Sequence, residues 1–256
     1  MLRAFGVHPP ARRLAGGQGR SWLAGDVVLK PGGGPVQGWL ARTLADVRPD
    51  GFRIAAALPT RDGRWLCEGW SATRWVEGRE PDRADQTTWV EIVEAGRAFH
   101  RAVAEVARPE CLDARTDAWA AADRVAWGER PLALRPELAD LARRLQAALE
   151  PPSRSQLVHG DLTGNVLFAP GVDPAVIDIS PYWRPPEYAE GVVLADALTW
   201  HGASANLLEL AGVPLAAVAR ALLFRIATTN ERSTSAGVDL HDEAGRFVTA
   251  LAAIGL

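Results

Sequence analysis

Apolar positions along this chain follow two different periods. The short runs Val27-Val28-Leu29, Leu157-Val158, Val166-Leu167-Phe168 and Ala175-Val176-Ile177 are dense in aliphatic residues and bounded by turn formers, which predicts buried strands. From Trp89 onward the period is helical, with Ile92, Val93, Gly96, Phe99, His100, Val103 and Val106 on one face and a predicted capping box from Thr88 and Glu91. Further helices are predicted over residues 119–127, 137–149, 190–201, 215–227 and 243–254, the second of them stopped by Pro151-Pro152. Before residue 77 the order is strand, glycine-rich turn, strand, tight turn and strand, and then a short helix over 36–47 carrying Trp39, Leu40, Leu44 and Val47. Residues 52–58 and 64–70 predict a hairpin around Arg61-Asp62-Gly63, and 228–237 read as a polar surface loop. A strand-rich segment thus precedes a helix-rich one.

Three polar residues sit where the strand pattern does not ask for them. Asp161 and Asn165 lie in the loop between two apolar runs, and Asp178 closes the run Ala175-Val176-Ile177. Each alone is an ordinary turn residue. Together they suit metal-assisted phosphoryl transfer: one carboxylate accepts the proton of an attacking hydroxyl, while an amide oxygen and a second carboxylate hold Mg²⁺ against nucleotide phosphates. His159, two residues before Asp161, reads as a support of the loop backbone, and His100 as a packed helix histidine.

Composition narrows the picture. The 256 residues carry a net charge of −3, which argues against nucleic acid or an anionic membrane as a partner bound by bulk electrostatics. Cys67 and Cys111 lack both a disulfide framework and zinc spacing, and no run is long and apolar enough for a membrane span or a signal peptide, so a cytoplasmic protein is expected. Of 28 basic residues only Lys30 is a lysine. It ends the run Val27-Val28-Leu29, and a compact ammonium there suits a point contact with phosphate oxygens better than a guanidinium would. The glycines Gly16, Gly17 and Gly19 before it form either a phosphate-approaching turn or an ordinary hairpin turn.

The segment His159-Gly160-Asp161…Asn165 with Ile177-Asp178 resembles the catalytic core of the aminoglycoside phosphotransferase family, a branch of the protein-kinase-like fold. The resemblance implies an α+β, two-lobed fold, with a small antiparallel-sheet lobe over residues 1–76 that binds nucleotide and a mostly helical lobe over 77–256 that holds catalysis and substrate. It implies ATP- or GTP-dependent phosphorylation of a small-molecule hydroxyl, assisted by Mg²⁺. In that scheme Gly16, Gly17, Gly19 and Lys30 hold phosphates, and the segment 72–78, with Trp75 and Val76, resembles the hinge that reads the base. Asn165 and Asp178 hold the metal, Asp161 orients the acceptor, and His159 and Asp196 brace the loop. Three departures stand against the pattern. Trp22 replaces the third glycine, the helix over 36–47 has Asp46 but no Glu to pair with Lys30, and three residues rather than the family's four separate Asp161 from Asn165. They motivate an alternative, a catalytically silent nucleotide- or ligand-binding module on the same fold. A metal-dependent hydrolase needs more convergent ligands than five histidines provide.

Overall fold

A computed structural model describes residues 1–8, 10–14, 19–233, 237 and 239–256. The chain opens with a 3-10 turn (Leu2–Phe5) and the strands β1 (Arg12–Arg13), β2 (Trp22–Ala24) and β3 (Val27–Pro31), followed by α1 (Pro35–Ala45), β4 (Arg53–Ile54) and β5 (Trp70–Arg74). Then come α2 (Gln86–Ala102), α3 (Ala118–Ala126), α4 (Pro136–Ala147) and four short strands, β6 (Gln156–His159), β7 (Val166–Ala169), β8 (Val172–Val176) and β9 (Pro181–Arg184). The chain closes with α5 (Pro186–Trp200), α6 (Asn206–Ala211), α7 (Leu215–Arg232) and α8 (Leu240–Ala253).

The first sheet runs β1-β2-β3-β5, all antiparallel, and covers a small core of Phe5, Val7, Ala24, Val27, Leu29, Cys67 and Ala72. The helical part packs around a much larger core, in which Trp89, Ile92, Phe99, Leu157, Leu194 and Phe224 are almost fully buried. This is the α+β, two-lobed arrangement expected. Leu40 and Leu44 of α1 and Phe52 belong to the large core, so α1 lies against the second lobe as well as the first. A three-stranded sheet, β4-β8-β7, also joins the two parts, because β4 lies parallel to β8 with Arg53 opposite Ala175 and Ile54 opposite Val176.

Several local expectations need correction. The hairpin partner of residues 52–58 begins at Trp70 rather than Arg64: Leu58 N–H donates to Ala72 C=O and Arg74 N–H to Ala56 C=O. Residues 72–74 of the expected hinge are therefore strand. The intervening chain turns through Glu68 and Gly69, both at positive φ, so it cannot extend as a strand. The cap of α2 is Asp85, whose carboxylate accepts the Thr87 N–H at 2.9 Å, so the helix starts ahead of Thr88. The polar stretch from Thr228 is helix up to Arg232, with residues 234–236 and 238 outside the described region. Thr228 satisfies its hydroxyl on Phe224 C=O, and Asn230 accepts the Arg135 N–H, so these polar side chains are used inside the fold.

Candidate active site

The site is assembled by two strand pairs. In the β7–β8 hairpin Val166 lies opposite Val176, and the Ile177 N–H donates to Asn165 C=O at 2.9 Å. Asn165, opposite Ile177, and Asp178, the next residue, therefore both stand at one end of the hairpin. In the β6–β9 pair His159 lies opposite Pro181, and the next peptide joins them through Gly160 N–H to Ser180 C=O at 3.0 Å. Gly160 is needed there, since a Cβ would fall 2.5 Å from the Tyr182 ring. Asp178 has φ of 50°, a left-handed backbone that a non-glycine residue adopts only when its surroundings enforce it.

Between this hairpin and the first sheet lies a cleft of about 580 Å³. Lys30, Trp75, Val76, Asn165 and Asp178 line it, beside an apolar wall that includes Val28, Leu44 and Leu167. Lys30 forms an ion pair with Asp178 across the cleft, which answers the missing helix acid: the lysine's partner is the strand-end carboxylate. Burial lowers the Lys30 ammonium to about 8. Gln37, on the face of α1 that lines the cleft, instead accepts the Gly34 N–H at 3.0 Å. Asp46 lies beyond the end of α1, as its C-cap.

Asp161 stands beside the cleft rather than in its wall. Asn165 Nδ2 donates to Asp161 C=O at 2.6 Å and lies 3.4 Å from its Oδ2, which leaves the amide oxygen of Asn165 for another partner. The Asp161 side chain is about half exposed (48%), so a hydroxyl can reach it. His159 is fully buried and ties three backbone segments together. Its Nδ1 accepts the N–H of Asp161 (3.1 Å) and of Ser180 (3.4 Å), and its Nε2 lies 3.0 Å from Ile177 C=O. Those partners require a neutral ring protonated at Nε2. Burial agrees, pushing His159 down to about 4 and His100 to about 3.

Two supports of the loop were not assigned from the sequence. His100 Nε2 accepts the His159 N–H at 3.1 Å, so the packed helix histidine is also a backbone ligand of the loop. Arg225, on α7, forks onto Asp196 with Nε at 2.7 Å and Nη2 at 2.6 Å, and Nη2 also reaches Asp161 Oδ1 at 3.2 Å. Asp196 in turn accepts the Thr163 hydroxyl at 2.8 Å. The signal was present as a matched pair: one cation in the apolar run Leu222-Leu223-Phe224-Arg225-Ile226-Ala227 and one anion in Val192-Val193-Leu194-Ala195-Asp196.

Not every expected residue joins the cleft. Gly19 is not among the described residues lining it, and its carbonyl is taken by the Arg13 side chain. Gly16 and Gly17 lie outside the described residues. Among those described, no three His, Cys, Asp or Glu side chains converge as a metal cluster, and the cleft lining holds hard oxygen donors on Asp178, Asn165 and Glu80, the first two at the end of the β7–β8 hairpin. That donor set fits Mg²⁺, which binds few protein ligands and keeps water or phosphate oxygens for the rest.

The model of the phosphotransferase enzyme family matches residues 38–179, a span that includes Asp161, Asn165 and Asp178 but begins after Lys30. An aminoglycoside phosphotransferase from Alicyclobacillus acidocaldarius superposes with a TM-score of 0.63 at 18% identity, over 97% of this chain and 90% of that one. A choline/ethanolamine kinase family protein from Mesorhizobium loti gives 0.62 at 19% identity, over 98% and 90%. A spectinomycin phosphotransferase in complex with ADP and spectinomycin gives 0.54 at 15% identity, over 97% and 88%. No curated protein matches by sequence. At these identities the structural likeness establishes the fold.

Proposed function

The chain belongs to the phosphotransferase enzyme family, and we propose that it transfers the γ-phosphoryl group of ATP or GTP to a hydroxyl of a small molecule. The observation that carries the proposal is the gathering of Lys30, Asn165 and Asp178 on one cleft, with Asp161 hydrogen-bonded to Asn165 beside it. A phosphate-binding cation, two hard oxygen donors and an accessible carboxylate are the parts that phosphoryl transfer needs. ADP in a structural neighbour supports the donor class.

In this reading residues 1–76 form the nucleotide lobe and 77–256 the catalytic lobe of a cytoplasmic enzyme. The base lies against the apolar wall, with Trp75 and Val76 at its edge, and Lys30 leaves Asp178 to contact phosphate oxygens. Asn165 and Asp178 would hold Mg²⁺, which would supply charge neutralisation for the nucleotide phosphates. Asp161 orients the acceptor hydroxyl. As the new oxygen–phosphorus bond forms and the bond to the β-phosphate oxygen breaks, the hydroxyl proton passes to Asp161 and the nucleoside diphosphate leaves. The silent-module alternative draws on the short loop and on the Lys30–Asp178 pair, in which the proposed phosphate-binding cation and metal-binding carboxylate satisfy each other.

Titration calorimetry of ATP and GTP, with and without Mg²⁺, separates these readings when joined to a transfer assay. Mg²⁺-dependent binding, with phosphoryl transfer that Asp161→Asn abolishes, supports the enzyme. Binding with no turnover over a broad panel of hydroxyl acceptors supports the silent module, and no nucleotide binding removes both.

A further inference from the structure

We propose that Arg225 is a positioning residue for the Asp161 carboxylate, held by Asp196 so that one buried guanidinium sets where the acceptor-side oxygen points. The proposal rests on the phosphotransferase reading given above. Arg225 lies in the middle of α7 and is only 8% exposed, although its nearest sequence neighbours are apolar core residues. A lone guanidinium in such a place requires compensation, and Asp196 provides it through two bonds at 2.6 and 2.7 Å.

The pair alone would satisfy the charge, yet the geometry goes further. The same Nη2 that bonds Asp196 also reaches Asp161 Oδ1 at 3.2 Å. A planar fork can serve two carboxylates at once because its N–H vectors are fixed in direction, and a lysine ammonium on a flexible stem has no such preset angle. Asp196 meanwhile takes the Thr163 hydroxyl at 2.8 Å, so both ends of the segment from Asp161 to Thr163 are tied to one ion pair. The turn is then closed by Asn165 N–H to Leu162 C=O at 2.9 Å.

The short loop gives this bracing its place. With only three residues between Asp161 and Asn165, Asn165 bonds the Asp161 carbonyl directly at 2.6 Å, a contact that holds the backbone and not the carboxylate. Oδ2 of Asp161 meets only the long 3.4 Å approach of Asn165, so Oδ1 is the oxygen held by Arg225 and Oδ2 is the one left for an acceptor hydroxyl.

The test is release of nucleoside diphosphate from Mg·ATP and Mg·GTP with water as acceptor, measured beside calorimetric nucleotide affinity and thermal unfolding. Arg225→Lys keeps the charge opposite Asp196 but lacks the fork. It is expected to lower kcat on the order of a hundredfold, as for a misplacement near 1 Å, with nucleotide affinity and unfolding temperature close to the parent's. Arg225→Met combined with Asp196→Asn keeps the core neutral and is expected to lose kcat in the same way. Parent-like kcat in Arg225→Lys, while Asp161→Asn abolishes release, overturns the Arg225 proposal alone. Parallel losses of kcat, affinity and unfolding temperature in both variants also overturn it, since they mark a general structural part. Equal release by the parent and Asp161→Asn removes the phosphotransfer role of Asp161, and this proposal with it.

Discussion

Lys30 and Asp178 face each other across the cleft as an ion pair, although they arrive from different lobes and are 148 residues apart. The pair explains how a helix without a suitable acid can flank the only lysine in the chain. Under the proposed function it also sets a sequence of exchanges for ligand binding, in which phosphate replaces a carboxylate at Lys30 and a cation replaces an ammonium at Asp178.

Substitution of Lys30 should therefore act on nucleotide affinity. Lys30→Met removes a charge-assisted contact, which typically contributes about 1.5–3 kcal/mol, so affinity for Mg·ATP or Mg·GTP is expected to fall roughly 10- to 100-fold. Lys30→Arg is expected to recover little, because the larger fork does not fit a point contact. Calorimetry on both variants checks this. Parent-like affinity in Lys30→Met would remove Lys30 from the phosphate site.

Asp178→Ala should uncouple nucleotide binding from the metal. In the parent, chelation of Mg²⁺ is expected to weaken nucleotide binding, whereas in the variant binding should be weak with or without the metal. A variant that still binds more tightly when Mg²⁺ is added would place the metal elsewhere. Asn165→Ala is expected to show a milder version of the same loss, since a neutral amide oxygen holds a dication less strongly than a carboxylate.

Much of this site was legible before any geometry was known. Asp161, Asn165 and Asp178 stood out because they interrupt apolar strand runs, and Lys30 because arginine carries every other basic charge. Asp196 is expected as a brace of the loop from the family resemblance, but its partner Arg225 is not. Arg225 and Asp196 lie 29 positions apart on two helices, and only the packing of α5 against α7 makes their single charges partners. The strand pairing of β4 with β8 was hidden for a similar reason: two residues carry no usable period, and the pairing depends on where the second lobe presents its edge. The polar end of α7 misled because Thr and Asn are read as loop formers, whereas here the Phe224 carbonyl and the Arg135 N–H satisfy them.

Stability should fall on mild acidification through the buried histidines. His100 titrates at about 3 in the folded chain, pushed down by burial, and at about 6.5 when unfolded. Between those values the unfolded state takes up a proton that the folded state refuses. The folded state is therefore least penalised above pH 6.5 and loses about 2 kcal/mol from this residue by pH 5. His100→Gln retains an acceptor for the His159 N–H without a titrating ring. Chemical denaturation at pH 7 and pH 5 should show a difference smaller by about that amount in the variant. An unchanged difference would mean that His100 takes up a proton in the folded chain as readily as in the unfolded one.

Gly160→Ala tests whether the strand pair, and not only the side chains, sets the catalytic loop. The added Cβ would lie 2.5 Å from Tyr182 Cδ2 and 2.7 Å from Cε2, well inside contact distance. The ring has little freedom to retreat, since Arg115 stacks on it at 4.9 Å and Phe224 packs edge-on at 6.0 Å. Relief must come from the backbone, so Gly160 shifts away from β9 and carries Asp161 with it. Overpacking of this kind costs about 1–3 kcal/mol, a stability loss that denaturant unfolding will register. Turnover should suffer more than nucleotide affinity, because Lys30 and the apolar wall do not depend on Gly160. Replacing Tyr182 with Leu in the same chain removes the clashing ring edge and is expected to restore part of both losses. If Gly160→Ala alone leaves stability and turnover unchanged, the Tyr182 ring has room to move and the loop is held by His159 and Arg225 without help from this contact.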